Sequence, residues 1–136
     1  LAIRTQNGWI AKEDIEYSYR HTHFEGIVYE ATFTCKEGFD ETLLAMFKKM
    51  RDNQPHYPSA GSCFKNPKDG YAGKLIEEVG LKGKRIGDMS FSDEHANFLV
   101  NLGNGTYEDA LALINLAKEK VFKRFGIQLE EEIIIF

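Results

Sequence analysis

Apolar side chains recur along the chain with two different spacings. In residues 27–34 they occupy every second position, and this period of two predicts a β-strand with one mainly apolar face. In residues 41–51, Leu43, Met46 and Met50 fall on one face of a helix with 3.6 residues per turn. The pattern therefore predicts a strand followed closely by an amphipathic helix from Glu41 to Arg51.

The remaining pattern alternates between loop, helix and strand. Residues 1–25 are polar, which predicts an irregular segment, and residues 54–71 hold all three prolines, which predicts a loop or a broken strand. The other predicted elements are a short helix from Ala72 to a stop at Gly80, a strand over residues 96–102, a long helix from Thr106 to Gly126 and a buried strand over residues 133–136.

This order of elements favours an α+β fold. Strand, helix, helix, strand, helix and strand follow one another without an internal repeat. Such an order predicts a small sheet with helices packed on one side. A chain of 136 residues can form one good core, whereas two complete domains are not expected.

Composition and charge narrow the classes of function. The chain has 17 Lys and Arg against 21 Asp and Glu, a formal net charge of −4. This mildly acidic balance argues against a nucleic-acid partner, which basic side chains would hold through phosphates. No apolar run reaches the about 20 residues that span a bilayer, and no signal peptide is seen. Since two cysteines make no disulfide framework, we expect a cytoplasmic protein without a membrane partner.

The segment Pro58–Pro67 concentrates polar groups around a glycine. Gly61 lets the backbone turn sharply and lets a ligand approach, and Ser62 then offers a hydroxyl. Lys65 and Asn66 offer hydrogen-bond donors suited to phosphate oxygens. The segment is thus a candidate phosphate-binding site, and the commoner alternative is a surface turn with a solvated lysine.

Two histidines form a second candidate site. In an extended segment His21 and His23 point to one face, as a pair of metal ligands requires. Further ligands would have to come from His56, His95 or the thiols, and none of these has a recognised zinc spacing. We therefore predict no metal site and interpret the pair as partly exposed loop histidines.

Charged residues at the two ends of the chain allow a functional and a structural interpretation. The run Glu130-Glu131-Glu132 is typical of a solvated strand start, although a carboxylate beside a buried strand can also act in a cleft. Arg20, behind Tyr17 and Tyr19, could bind a carboxylate, although an arginine stacked on the surface is commoner.

Six short motifs, taken in order, resemble one family. They resemble the C-terminal part of the UDP-N-acetylenolpyruvoylglucosamine reductases, also called UDP-N-acetylmuramate dehydrogenases, in their short form. The resemblance extends from about Tyr19 to Ile133, and its most specific part is Gly61–Pro67. The six motifs are Tyr19–Thr22, Pro58–Pro67, Ala72–Ile76, Gly80–Gly83, His95–Phe98 and Leu129–Ile133.

The resemblance implies a flavoenzyme of peptidoglycan precursor synthesis, and hence of cell-wall biogenesis, cell shape and cell division. In this family NADPH reduces FAD, and the flavin then passes a hydride to the β-carbon of the enolpyruvyl group of a UDP-sugar. A proton is then needed at the α-carbon. The family's serine supplies this proton, and Ser62 stands at its position.

The same resemblance implies roles for other residues. Arg20 matches the arginine that pairs with the substrate carboxylate, and Glu132 matches the glutamate that binds the intermediate through a shared proton. Asn66 matches a diphosphate-binding asparagine, and His95 stands where some members have a glutamine that faces the diphosphate. On charge grounds, three cations are further candidates for a diphosphate or uridine site: Lys65, Lys82 and Arg51.

The resemblance also implies an incomplete enzyme. The chain has no glycine-rich flavin-binding loop, and it starts at Leu1 rather than at a methionine. We expect residues 1–35 to be the C-terminal end of an FAD-binding domain and residues 36–136 to be the substrate-binding domain. The missing FAD domain is then a partner, so the chain alone is not expected to be active. The alternative is a nucleotide-sugar binding module without chemistry.

Overall fold

The structure is a computed structural model, and it describes residues 1–52, 54–68 and 70–135. It is a mixed α/β protein that divides into two compact units, Leu1–Thr42 and Leu43–Phe136. The domain boundary that we expect after residue 35 stays a prediction, because a division into compact units does not show which part binds flavin. Among the described residues, no helix combines the length and the apolar character that crossing a membrane requires.

Short antiparallel strands form the first unit. One sheet has the strand order β2-β1-β5, and β3 pairs with β4 in a separate hairpin. The strands are β1 Ala2–Thr5, β2 Gly8–Ala11, β3 Glu16–Ser18, β4 His21–His23 and β5 Glu30–Thr32, with a 3-10 turn at Lys12–Asp14.

Two predictions about this unit are wrong. Residues 1–25 are not irregular, because four strands lie there, each too short to show a period of two. The strand predicted over residues 27–34 is only Glu30–Thr32. Its ladder is short because its partner β1 has four residues, and the register pairs Ala2 with Thr32 and Arg4 with Glu30.

A four-stranded antiparallel sheet and two helices form the centre of the second unit. The sheet has the order β6-β9-β8-β7, α3 packs against β7 and β8, and α2 packs against α3. The core includes Phe64, Phe91 and Leu113, all fully buried. The elements from α1 onward are α1 Glu41–Arg51, β6 Ser59–Ser62, α2 Ala72–Glu78, β7 Arg85–Ile86, β8 Met89–Phe91, β9 Phe98–Asn101 and α3 Tyr107–Phe125.

The predicted helices are confirmed. At the start of α3 the Asp109 N–H donates to the Thr106 hydroxyl, and the Thr106 N–H donates to the Asp109 carboxylate. The side chain of each residue therefore satisfies the backbone N–H of the other. Gly126 ends the helix in the left-handed region at φ +69°. Helix α1 has the predicted bounds, but none of its residues is buried within the described part of the chain.

The second unit also differs from prediction in its strands. The hairpin of β7 and β8 was not predicted, although Gly87 and Asp88 between the paired Ile86 and Met89 form a two-residue turn. The predicted final strand is wrong for residues 133–135, which form no strand, and Ile134 is 78% exposed. Among the described residues, the pairing of this chain end extends from the bridge between Phe64 and Glu131 to the hydrogen bond from the Glu132 N–H to the Cys63 carbonyl oxygen, and residues 133–135 pair with no strand. Phe136 lies outside the described residues.

Candidate functional site

Ser62 lies at a distortion of the sheet in the second unit. The register between β6 and β9 shifts between Ser59 and Ser62, and Gly61 has φ +86° in this bulge. A Cβ atom at residue 61 would meet no atom within 4 Å, so a larger side chain would not clash there. The glycine is favoured because its positive φ angle is one that other residues rarely adopt. Among the described residues the Ser62 hydroxyl makes no hydrogen bond. Because no buried side-chain oxygen or nitrogen there lacks a partner, this hydroxyl is accessible on the half-buried residue.

The acidic run at the end of the chain pairs with the segment that follows Ser62. The Lys65 N–H donates to the Glu130 carbonyl oxygen at 2.8 Å, and the Glu132 N–H donates to the Cys63 carbonyl oxygen at 2.9 Å. Phe64 and Glu131 form an antiparallel bridge between these two bonds. The backbone of Glu132 is therefore fixed to Cys63, the residue directly after Ser62, although 69 positions separate Glu132 from Cys63 in sequence.

Asn97 holds this pair of segments in place. It is 3% exposed, and its side-chain amide makes two hydrogen bonds to one residue. Its Oδ1 accepts from the Phe64 N–H at 3.0 Å, and its Nδ2 donates to the Phe64 carbonyl oxygen at 2.8 Å. The Cys63 N–H also donates to the Asn97 carbonyl oxygen at 2.7 Å. Asn97 lies in the motif His95–Phe98, but the sequence assigns it no role because no local pattern marks a contact across 33 positions.

Asn66 and His95, the two residues predicted to face a diphosphate, both lie next to the first turn of α2. The Asn66 Oδ1 accepts from the Ala72 N–H at 3.0 Å, which leaves the Nδ2 donors available among the described residues. The His95 ring packs edge-on against Phe98, and its Cε1 would lie 3.2 Å from a side chain at Gly73. Asn66 therefore lies next to Ala72 and His95 next to Gly73, and Ala72 and Gly73 are neighbours in this turn.

The three predicted cations are in different surroundings. Lys65 forms an ion pair with Glu130, and the Lys82 Nζ donates to a Glu77 carboxylate oxygen at 3.3 Å. Arg51 is the exposed last residue of α1. Their proposed roles at a diphosphate or uridine group stay predictions.

Arg20 belongs to the first unit. It has φ +59°, which is uncommon outside glycine, and its guanidinium lies 5.7 Å from the centre of the Tyr19 ring. Arg20 also lines a cavity of about 650 Å³ whose walls include Ile15, Phe24 and Val28. Its predicted contact with a substrate carboxylate stays a prediction.

Comparison with known proteins identifies the family. The model described as "UDP-N-acetylenolpyruvoylglucosamine reductase, C-terminal domain" matches residues 54–136. The chain belongs to this reductase family. The reductase of Helicobacter hepaticus is 51% identical over 134 residues, which cover 98% of this chain and 51% of that protein. The reductase of Campylobacter jejuni strain RM1221 is 48% identical and covers 99% of this chain and 52% of that protein.

A solved structure agrees with this assignment. The crystal structure of UDP-N-acetylenolpyruvylglucosamine reductase from Thermus caldophilus is similar with a TM-score of 0.79 at 36% sequence identity. The match covers 96% of this chain and 50% of that one. The chain therefore spans about half the length of the reductase-family relatives that it matches.

Two ionisable groups of this reductase-family chain, one directly after Ser62 and one in the segment paired with Phe64, have shifted pKa values. Burial, followed by the charge of Glu131, raises the pKa of the Cys63 thiol to about 12. Cys63 therefore stays protonated near neutral pH and is no nucleophile. Burial also acts against ionisation of Glu131, but hydrogen bonds from Lys118 and its own backbone outweigh it, so the pKa of Glu131 lies below its usual value. The Lys118 Nζ donates to the Glu131 Oε1 at 2.8 Å.

The ion pair of Glu131 predicts a pH-dependent contribution to stability. A carboxylate with a lowered folded-state pKa stabilises the fold above its ordinary value of 4.5, and this contribution is lost as the pH falls through the folded-state pKa. Glu131→Gln should therefore lower the free energy of unfolding near neutral pH, and this effect should shrink as the pH falls below 4.5 and through the folded-state pKa of Glu131. Urea unfolding of both proteins over this range measures the effect.

A matched variant separates the ion pair from a general loss of charge. Glu119→Gln removes an exposed carboxylate of α3 and should have little effect at any pH. A stability difference for Glu131→Gln that does not shrink as the pH falls from neutral into the acid range would contradict the assignment to ionised Glu131.

Proposed function

We propose that this chain is the C-terminal part of an FAD-dependent, NADPH-using reductase of the cytoplasm. It would act in peptidoglycan precursor synthesis, where it converts UDP-N-acetylglucosamine enolpyruvate to UDP-N-acetylmuramate. Family membership and the names of the relatives support this function. The observation that carries it is the hydrogen bond from the Glu132 N–H to the Cys63 carbonyl oxygen, because it fixes the backbone of a carboxylate residue beside the residue that follows Ser62.

The described residues do not by themselves fit the flavin. Its diphosphate needs a cradle of backbone N–H groups, and the chain has no glycine-rich loop that would form one. We therefore assign no residue here to FAD and propose that the half of the relatives' length that this chain does not span binds it. When bound, the flavin would supply the hydride that NADPH provides.

Ser62 is the proposed proton donor. Hydride addition to the β-carbon leaves an electron pair on the α-carbon beside the carboxylate, and this enolate-like centre is a strong base. The Ser62 O–H bond breaks, its proton forms the new C–H bond, and the serine oxygen regains a proton from water after the product leaves. A hydroxyl on a half-buried residue, without a competing hydrogen bond among the described residues, is suited to this transfer.

The remaining residues would hold the substrate. Arg20 pairs with the substrate carboxylate and stabilises its developing charge, and Glu132 binds the intermediate through a shared proton. We assign the Asn66 Nδ2 and the His95 ring to the diphosphate, and the closeness of both residues to the first turn of α2 supports a shared role. Lys65, Lys82 and Arg51 would add positive charge near the diphosphate or the uridine.

Substitution of Asn66 tests the substrate site. Asn66→Asp keeps an oxygen that accepts from the Ala72 N–H, but it replaces the amide donor by a charge that repels phosphate. We expect the affinity of the 136-residue chain for the enolpyruvyl UDP-sugar to fall about tenfold or more, as measured by calorimetry.

An identical change elsewhere serves as the control. Asn104→Asp adds the same charge in the exposed loop before α3 and should leave the affinity unchanged. Two results would overturn the proposed substrate site: a cooperatively folded chain that does not bind the UDP-sugar, or wild-type affinity in Asn66→Asp.

A further inference from the structure

No role in the proposed reductase reaction is assigned to His21 or His23. Both are exposed on β4, which pairs with β3 so that Ser18 faces His21 and Glu16 faces His23. Because residues two apart on a strand point to the same face, the two imidazoles lie on one side of the hairpin. The two-residue turn between Ser18 and His21 fixes this register, so the arrangement is set by the fold.

The two rings approach each other through the same type of nitrogen. The Nε2 atoms of His21 and His23 are 2.9 Å apart, and the ring planes meet at 85°. In the metal-free pair one ring donates a hydrogen bond to the other. A small rotation of each exposed ring would direct both Nε2 lone pairs to one point above the strand.

The chemistry of the two ligands indicates which ion is preferred. The 2.9 Å between the Nε2 atoms is an ordinary hydrogen-bond length, and it shows that both nitrogens reach the same point above the strand. Imidazole nitrogens bind Cu²⁺ more tightly than the other divalent ions of the first transition row. Among the described residues, no three metal-binding side chains of the His, Cys, Asp and Glu types converge, so water would complete the coordination.

We propose that His21 and His23 form a two-histidine site for a tetragonal divalent cation, with Cu²⁺ as the preferred ion. Glu16, the cross-strand partner of His23, adds a negative charge on the same face of the hairpin, which favours a cation there. The proposal is independent of the reductase function, since it requires neither FAD nor a UDP-sugar.

Titration of the 136-residue chain with CuCl₂ at neutral pH tests the site. Calorimetry should show one tight Cu²⁺ per chain, and the electron paramagnetic resonance spectrum should show a tetragonal ion with two nitrogen ligands. His21→Ala and His23→Ala should each weaken binding about tenfold or more, because each removes one arm of the chelate. His56→Ala removes an exposed histidine of the second unit and should leave binding unchanged.

A rearranged variant tests the geometry itself. Thr22→His combined with His23→Thr keeps two neighbouring histidines but places them on opposite faces of β4, so it should lose affinity as the single variants do. Circular dichroism should show the wild-type fold for all variants. Wild-type affinity in the rearranged variant, in His21→Ala or in His23→Ala would overturn the proposal, as would a spectrum with a single nitrogen ligand.

Discussion

Ser62→Ala is expected to lower kcat of the reductase that contains this chain by about 10²–10⁴-fold, the usual contribution of a positioned general acid. Steady-state oxidation of NADPH with the enolpyruvyl UDP-sugar measures this effect. The affinity for the UDP-sugar should stay unchanged, because Ser62 transfers a proton and is not assigned a binding contact. The substitution removes a half-buried hydroxyl without a partner among the described residues, so it breaks no hydrogen bond that holds the fold.

A conservative variant separates proton donation from packing. Ser62→Cys keeps an acidic proton at the same position and should retain more activity than Ser62→Ala. A kcat for Ser62→Ala within about threefold of wild type would contradict the role of Ser62 as the proton donor. Binding of the UDP-sugar without turnover by the wild-type reductase would instead support a nucleotide-sugar binding module.

Asn97→Leu is expected to lower the free energy of unfolding by about 2–5 kcal/mol, because it leaves the N–H and the carbonyl of Phe64 buried without partners. Both groups are satisfied by the Asn97 side chain, and Phe64 is fully buried, so water cannot replace the lost bonds. Urea unfolding of the chain measures the loss. Asn97→Asp keeps the acceptor for the Phe64 N–H but not the donor to its carbonyl, so it should also be destabilising.

An exposed asparagine provides the comparison for this prediction. Asn104→Ala shortens a side chain of the same type on the surface and should change stability by less than about 0.5 kcal/mol. If Asn97→Leu unfolds at the same urea concentration as Asn104→Ala, the two hydrogen bonds to Phe64 do not stabilise the fold as argued.

The long helix and the hairpins show what a sequence pattern can and cannot predict. Helix α3 has 19 residues, a buried stripe and a signal at each end, so its period and its caps give the same bounds. Strands β7 and β8 have two and three residues, which is too short for alternation to be visible. The final apolar run has the pattern of a buried strand, but in the part of the chain that the structure describes its pairing is a single bridge before the run, between Phe64 and Glu131.

The candidate site depends on contacts that no local pattern encodes. Ser62 and Glu132 lie far apart in sequence, and only the resemblance to a family suggested that they act together. The structure shows how their segments are joined. A backbone hydrogen bond connects Glu132 to Cys63, and two hydrogen bonds from the Asn97 side chain hold Phe64. The roles of Ser62, Glu132 and Arg20 stay predictions until the reaction is measured.

The two half-reactions of the Ser62→Ala reductase test the central claim most directly. Flavin absorbance follows reduction by NADPH and reoxidation by the UDP-sugar in separate single-turnover experiments. If this chain supplies the proton donor, reduction should keep the wild-type rate and reoxidation should slow by about 10²–10⁴-fold. Reoxidation at the wild-type rate, or an equal loss in both half-reactions, would contradict it.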